Sequence, residues 1–231
     1  MDRSMFRIWR SLALLAAASL MLSTSAAAQR ITSPYRYVEE KQSVGPFGGY
    51  LSADRGELGF GPASGPIFGA GYSLRLTGPL QLEAMIGYFP TTRAVLDTIR
   101  VDGRPRNVGE ADVDLLFLQG GLRFNLTGPR TYHHLRPFLL ATGGIATAVR
   151  DEHPAERFLS TPTAAFRFGT SFAAQLGGGI EWFVVPHVSL RVEARDLFWK
   201  LDTPQAFRLQ GERRDDWIHN LFLSASVTYN F

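Results

Sequence analysis

The sequence predicts an all-β fold: an antiparallel, up-and-down barrel of eight strands that crosses a membrane, preceded by a cleaved export signal. Three observations predict it. The first 28 residues are laid out as a secretory leader. No later stretch is apolar for long enough to be a membrane helix, which needs roughly 20 residues. From residue 43 onward apolar residues recur every second position, in segments separated by alternately short and long links.

The leader is residues 1–28. Arg3, Arg7 and Arg10 precede an uncharged apolar run over 12–22, and small residues follow, ending Ala26-Ala27-Ala28. This is the n-region, h-region and Ala-x-Ala order of a signal peptide, with cleavage between Ala28 and Gln29. The apolar run is about 11 residues, too short to span a bilayer. Residues 29–42 then form a lead-in of unassigned order, and 43–231 the barrel. The leader contributes +2 of the formal net charge of +3, so the remainder is near neutral and the basic pI does not imply nucleic-acid binding. With no cysteine the exported chain has no disulfide framework.

Each strand follows from its alternation. The last is clearest: Leu221, Leu223, Ala225, Val227, Tyr229 and Phe231 share one face, and Ser224, Ser226, Thr228 and Asn230 the other. In 67–76, Phe68, Ala70, Tyr72 and Leu74 oppose Gly69, Gly71, Ser73 and Arg75. In 80–88, Leu82, Ala84, Ile86 and Tyr88 oppose Gln81, Glu83 and Met85. In 116–126, Leu118, Leu122 and Phe124 oppose Gln119, Arg123 and Asn125. In 172–182, Phe172, Leu176, Ile180 and Trp182 oppose Gln175 and Glu181. In 188–195, Leu190, Val192 and Ala194 oppose Arg191, Glu193 and Arg195. The phase then slips near Asp196, read as a bulge. Two weaker strands, 44–53 and 137–147, bring the number to eight. One face suits lipid and the other a polar interior.

The links alternate. Thr77-Gly78-Pro79 and Val185-Pro186-His187 are tight turns, and 127–134 is somewhat longer. The links near 54–66, 90–112, 151–169 and 202–219 are long, polar and rich in Gly, Pro and charge. Short turns on one rim and long loops on the other is the outer-membrane arrangement, with the short turns and both termini in the periplasm. Rim aromatics follow: Trp182, Phe124, Tyr229 and Phe231 at the periplasmic end, Tyr88 and Trp199 at the outer end.

These residues resemble a family. A final strand with Val227, Tyr229 and Phe231 in alternation is similar to the C-terminal signature of bacterial outer-membrane barrels. The run 175–182, the Pro186-His187 turn and 189–195 resemble the penultimate hairpin of small OmpA/OmpX-like barrels. The resemblance covers essentially all of the mature chain, 29–231. It implies a Gram-negative outer-membrane location, assembly partners (the barrel-assembly machinery, which reads Val227, Tyr229 and Phe231, and periplasmic chaperones), contact with outer-membrane lipids and lipopolysaccharide, and a monomer. It implies no activity, because the group includes anchors, adhesins, small channels and lipid enzymes.

Chemistry is sparse. Arg75, Glu83, Arg123, Glu181, Arg191, Glu193 and Arg195 must face inward, since an arginine facing lipid at the midplane costs about 2–4 kcal/mol. An eight-stranded interior is just wide enough for side chains to fill it. The charges are therefore read as a mutually paired plug in preference to a polar path. His187-Val188-Ser189 is similar to the His-x-Ser spacing of outer-membrane lipid A deacylases. Leu190, however, stands where that motif has Asn, and the parity of Ser189 is luminal. No HExxH, CxxC or phosphate-loop pattern occurs. No catalytic residue, metal site or cofactor is expected. The long loops remain as the place for function, among them the mixed-charge 91–112 and the run Glu212-Arg213-Arg214-Asp215-Asp216-Trp217. The expected role is structural or surface-binding, non-enzymatic and not an open pore; a lipid-modifying enzyme and a narrow solute channel are the alternatives.

Overall fold

A computed structural model describes residues 33–150, 154–209 and 216–231. The leader and its cleavage residues Ala26, Ala28 and Gln29 lie outside the described residues, as do 210–215. Ten strands are present: β1 (Tyr35–Tyr37), β2 (Gln42–Ser52), β3 (Gly65–Thr77), β4 (Leu80–Val101), β5 (Arg104–Asn125), β6 (Arg130–Tyr132), β7 (Leu135–Arg150), β8 (Thr170–Val185), β9 (Val188–Leu201) and β10 (Asp216–Asn230). Eight of them, all but β1 and β6, pair antiparallel with their neighbours in sequence, and β10 returns to pair with β2. These eight strands close into a barrel, and β1 and β6 extend from it at one end of β7. At the seam Phe231 donates its amide to the Gln42 carbonyl at 2.9 Å, and Gln42 donates back to the Phe231 carbonyl at 2.9 Å. Close interstrand approach uses glycine: a Cβ at Gly121 would stand 2.1 Å from the Ala141 carbonyl oxygen.

The exterior of the wall is apolar because the alternation is kept. Phe68, Leu82, Ile86, Leu118, Leu122, Leu139, Leu176, Val192 and Leu223 are all exposed on it. At the end with the short turns, the base, Phe124, Trp182, Tyr229 and Phe231 are also exposed. Trp199, expected at the outer rim, is instead fully buried inside the barrel, between Phe117 and Phe168 with ring centroids 5.9 Å from each.

The same difference removes the bulge expected at Asp196. β9 and β10 pair without interruption from Val188↔Tyr229 to Leu201↔Asp216. The inward positions simply change character along β9, from Arg191, Glu193 and Arg195 to Leu197, Trp199 and Leu201. The apparent slip in phase is a change of solvent inside the barrel. The base half of the interior is charged; the top half is an apolar core of Leu51, Met85, Phe89, Leu115, Phe117, Leu197, Trp199 and Phe222.

The top differs most from expectation. Residues 90–112 are not a loop: β4 and β5 continue as one hairpin around Asp102-Gly103, at φ 53° and 79°. Two consecutive positive φ values make the mirror-image turn that Asp-Gly favours. The register shifts between Val95 and Leu96 and again between Asp97 and Arg100, the irregularities that bend a long hairpin. The other links fold inward as a canopy. Phe60 stacks on Phe166 at 5.7 Å and meets Phe207, on the short helix Gln205–Leu209, edge-on at 5.0 Å. All three belong to the same apolar core as Trp199.

Polar clamps tie this canopy to the hairpin. Arg93 donates to Glu156 and to the Phe166 carbonyl, both at 2.9 Å. Asp97, fully buried, accepts from Arg106 at 2.9 Å and from the Ser160 amide at 3.3 Å. Burial opposes ionisation of Asp97, but hydrogen bonds from Ser160, Thr98 and Arg106 outweigh it and hold the carboxyl below its ordinary 3.8. A depressed folded value means the clamp's contribution is complete above 3.8 and is lost as pH falls through the lower folded value. Protease cleavage of the hairpin should therefore stay slow from neutral pH down to about 4 and quicken only in stronger acid. For Asp97→Asn it should be fast already at neutral pH; a variant as resistant as the parent would show that the clamp does not hold.

Candidate functional site: the charged lumen

The base half of the barrel gathers the inward charges of five strands. In register, Arg136 on β7 lies opposite Glu181 on β8, which lies opposite Arg191 on β9. Opposite charges directly across a ladder attract, and here they do so out of water. Glu181 is fully buried and ion-paired to Arg123 and to Arg136, the latter at 2.7 Å, with Arg191 at 4.0 Å. It also accepts the Ser189 hydroxyl at 2.7 Å. Arg191 reaches Glu83 at 2.8 Å and Glu193 at 3.2 Å. Arg195 closes the group, donating its Nε to Glu193 at 2.8 Å and Nη1 to Gln175 at 3.0 Å, with Glu83 at 3.4 Å. Aromatic faces cover the guanidinium groups: Arg123 lies 3.8 Å from the Phe138 ring centroid and Arg136 4.7 Å from that of Phe183.

Six of the seven charges read from the sequence thus form one cluster. The seventh, Arg75, is at its margin, 3.7 Å from Glu40 and 6.0 Å from the Tyr37 ring. Two members were missed. Arg136 falls in phase with inward Phe138 and Leu140 and would have been found by starting that strand two residues earlier. Glu40 comes from the lead-in, where no periodicity points to it. Within the lead-in β1 pairs with β6, and Glu40 enters the base of the barrel to pair with Arg136 and accept from Gln81 at 3.1 Å. This neutralises the cluster. Arg123, Arg191 and Arg195 are matched by Glu83, Glu181 and Glu193, and Arg136 by Glu40.

The space left is small. A cavity of about 20 Å³ lies among Ser43, Ser73, Glu83, Arg191 and Arg195, room for about one water molecule. Above it stands the apolar core. The His187-x-Ser189 pair does not assemble: Ser189 is buried among Glu181, Thr228 and Asn230, while His187, exposed at the turn, has its Nδ1 3.2 Å from the Asn230 carbonyl oxygen. Among the described residues no group of three or more His, Cys, Asp or Glu is placed to hold a metal ion. On the hairpin Ile99 and Val101 are exposed, and on the canopy Phe158. The charged run 212–215 lies outside the described residues.

No family model matches the chain. No characterised protein matches it in sequence. Solved structures do match in fold. The outer membrane protein OprG from Pseudomonas aeruginosa superposes with a TM-score of 0.54 at 11% identity, over 84% of this chain and 97% of that one. Neisserial surface protein A gives 0.47 at 14% identity, over 86% and 98%. Outer membrane protein W of E. coli gives 0.46 at 14% identity, over 85% and 100%. The OprG match shows a shared fold, the small closed eight-stranded barrel.

Proposed function

We propose that the chain is an integral outer-membrane barrel whose interior is structural and whose work is done by the hairpin and canopy at its top, by binding rather than catalysis. The observation that carries this reading is the interior itself. Its base half is a cluster of paired charges with a cavity of only about 20 Å³ among them, and its top half an apolar core continuous with the canopy. A lumen filled in this way supports a platform better than a path. The apolar outer wall with aromatics at the base supports the membrane location. The hairpin continues β4 and β5 past the barrel and presents Ile99 and Val101 beside Arg100 and Arg104, a rigid mixed surface of the kind binding sites use.

The experiment is fractionation with heat-modifiable gel mobility, followed by protease treatment of whole cells. Outer-membrane recovery, a mobility shift on heating and cleavage confined to the hairpin and canopy are expected; recovery as a soluble periplasmic protein refutes the reading. Planar-bilayer recording should show no discrete conductance. Lipid A should keep its acyl pattern when the protein is expressed. Deleting Phe231 removes both seam hydrogen bonds to Gln42 and the last residue of the proposed assembly signal. It should lower the amount in the outer membrane severalfold while synthesis is unchanged; equal outer-membrane levels would count against that signal.

A further inference from the structure

The lipid-facing wall carries one feature that neither the charged lumen nor the canopy uses. Asp196 points outward on β9. Its partners across the ladder are Leu221 on β10 and Leu176 on β8, both exposed on the apolar wall, and its outward neighbours on β9 are Ala194 and Phe198. His219 on β10 lies opposite Phe198, one outward step nearer the top, and its Nδ1 is 2.8 Å from Asp196 Oδ2. The two side chains are 48% and 68% exposed. Phe198 lies 5.8 Å from the His219 ring and 6.2 Å from Trp217. The other charges near this end of the wall are Lys200, two positions beyond Phe198 on β9, and Asp54, just past the end of β2. The facing part of β8 supplies only Ala174 and Leu176.

An ionisable side chain on a wall that faces hydrocarbon is costly, so its presence calls for a partner. Among the described residues Asp196 has His219 alone. With Nδ1–H donated to one carboxylate oxygen, Asp196 retains a second oxygen as an acceptor. The site therefore offers an acceptor and negative charge at the upper edge of the apolar belt. A lipid phosphate would be repelled there. A lipid ammonium group supplies both the positive charge and the donors.

We propose that Asp196 and His219 form an outward-facing site for the ammonium group of a membrane lipid. The proposal rests on the reading that the barrel spans a membrane. The test uses the full chain in nanodiscs of phosphatidylethanolamine, phosphatidylglycerol and phosphatidylcholine in equal parts, with the lipids retained on release counted by native mass spectrometry. The parent chain should retain phosphatidylethanolamine about two- to fivefold over the other two, the range an exposed ion pair supports. Asp196→Asn should abolish the preference, and His219→Gln should weaken it, while both keep the heat-modifiable mobility shift that shows a folded barrel. Equal enrichment in Asp196→Asn overturns the proposal. So does a preference for phosphatidylglycerol, or one that a chelator removes, which would mark a divalent-cation site. As a second measure, the His219 ring signals of the parent should shift with phosphatidylethanolamine and not with phosphatidylcholine; identical responses overturn it equally. An inserted barrel without enrichment sinks the site alone, whereas a chain that never inserts sinks both the site and the membrane reading.

Discussion

Glu181→Gln should cost the barrel about 3–5 kcal/mol, the range for breaking a buried ion pair and leaving charge uncompensated. Glu181 is the hub of the charged lumen. It is fully buried, paired to Arg123 and Arg136 and 4.0 Å from Arg191, and the glutamine keeps its shape while removing its charge. Arg123 and Arg136 are themselves almost wholly buried, so water cannot take the carboxylate's place. Urea unfolding in lipid vesicles measures the loss. Arg75→Gln is the control: Arg75 is partly exposed and touches the cluster only through Glu40 at 3.7 Å, so its loss should stay within about 1 kcal/mol. Equal losses for the two substitutions would mean that the lumen is well hydrated and that the charges do not act as a plug.

Trp199→Ala should cost a similar amount, about 3–5 kcal/mol, for a different reason. Trp199 is fully buried in the apolar half, where it touches Phe117 on the wall and Phe168 beneath the canopy. Truncating it leaves a void that packed neighbours fill only in part. Among the described residues its indole nitrogen has no hydrogen-bond partner, so the ring acts through its bulk. Trp199→Phe should recover part of the loss, because the smaller ring refills part of the void that alanine leaves. If phenylalanine were as damaging as alanine, the indole N–H would have to be doing something that packing does not describe. Protease sensitivity of the canopy should rise with Trp199→Ala and hardly at all with Arg75→Gln, since only the former lies in the core the canopy shares.

The fold was legible because a closed barrel writes a period of two into its strands, and links of alternating length give their connection. The six clustered charges were legible for the same reason: in the alternation they fall on the face opposite the apolar one. Three things were not. The β4–β5 hairpin was read as loop because prolines and scattered charges, among them Pro90, Arg93, Asp97, Arg100 and Pro105, break the alternation there, although Val101-Asp102-Gly103-Arg104 carries the Asp-Gly signal of a tight hairpin. Trp199 was placed outside because luminal residues were taken to be polar throughout; once the interior turns apolar, periodicity no longer distinguishes the two faces. Glu40 was invisible because its role comes from tertiary contact with Arg136, which no local pattern encodes.

The two-part filling of the barrel also sets how it meets temperature. Apolar packing weakens on cooling. Withdrawing charges from water becomes less costly on heating. The top, held by Phe60, Phe166, Trp199 and Phe207, is therefore the end that loosens in the cold. The base, held by Glu40, Glu181 and their arginines, is the end that keeps its grip when warmed. A single closed wall joins a cold-sensitive cap to a heat-tolerant floor, so chilling should loosen the canopy while leaving the barrel shut beneath it.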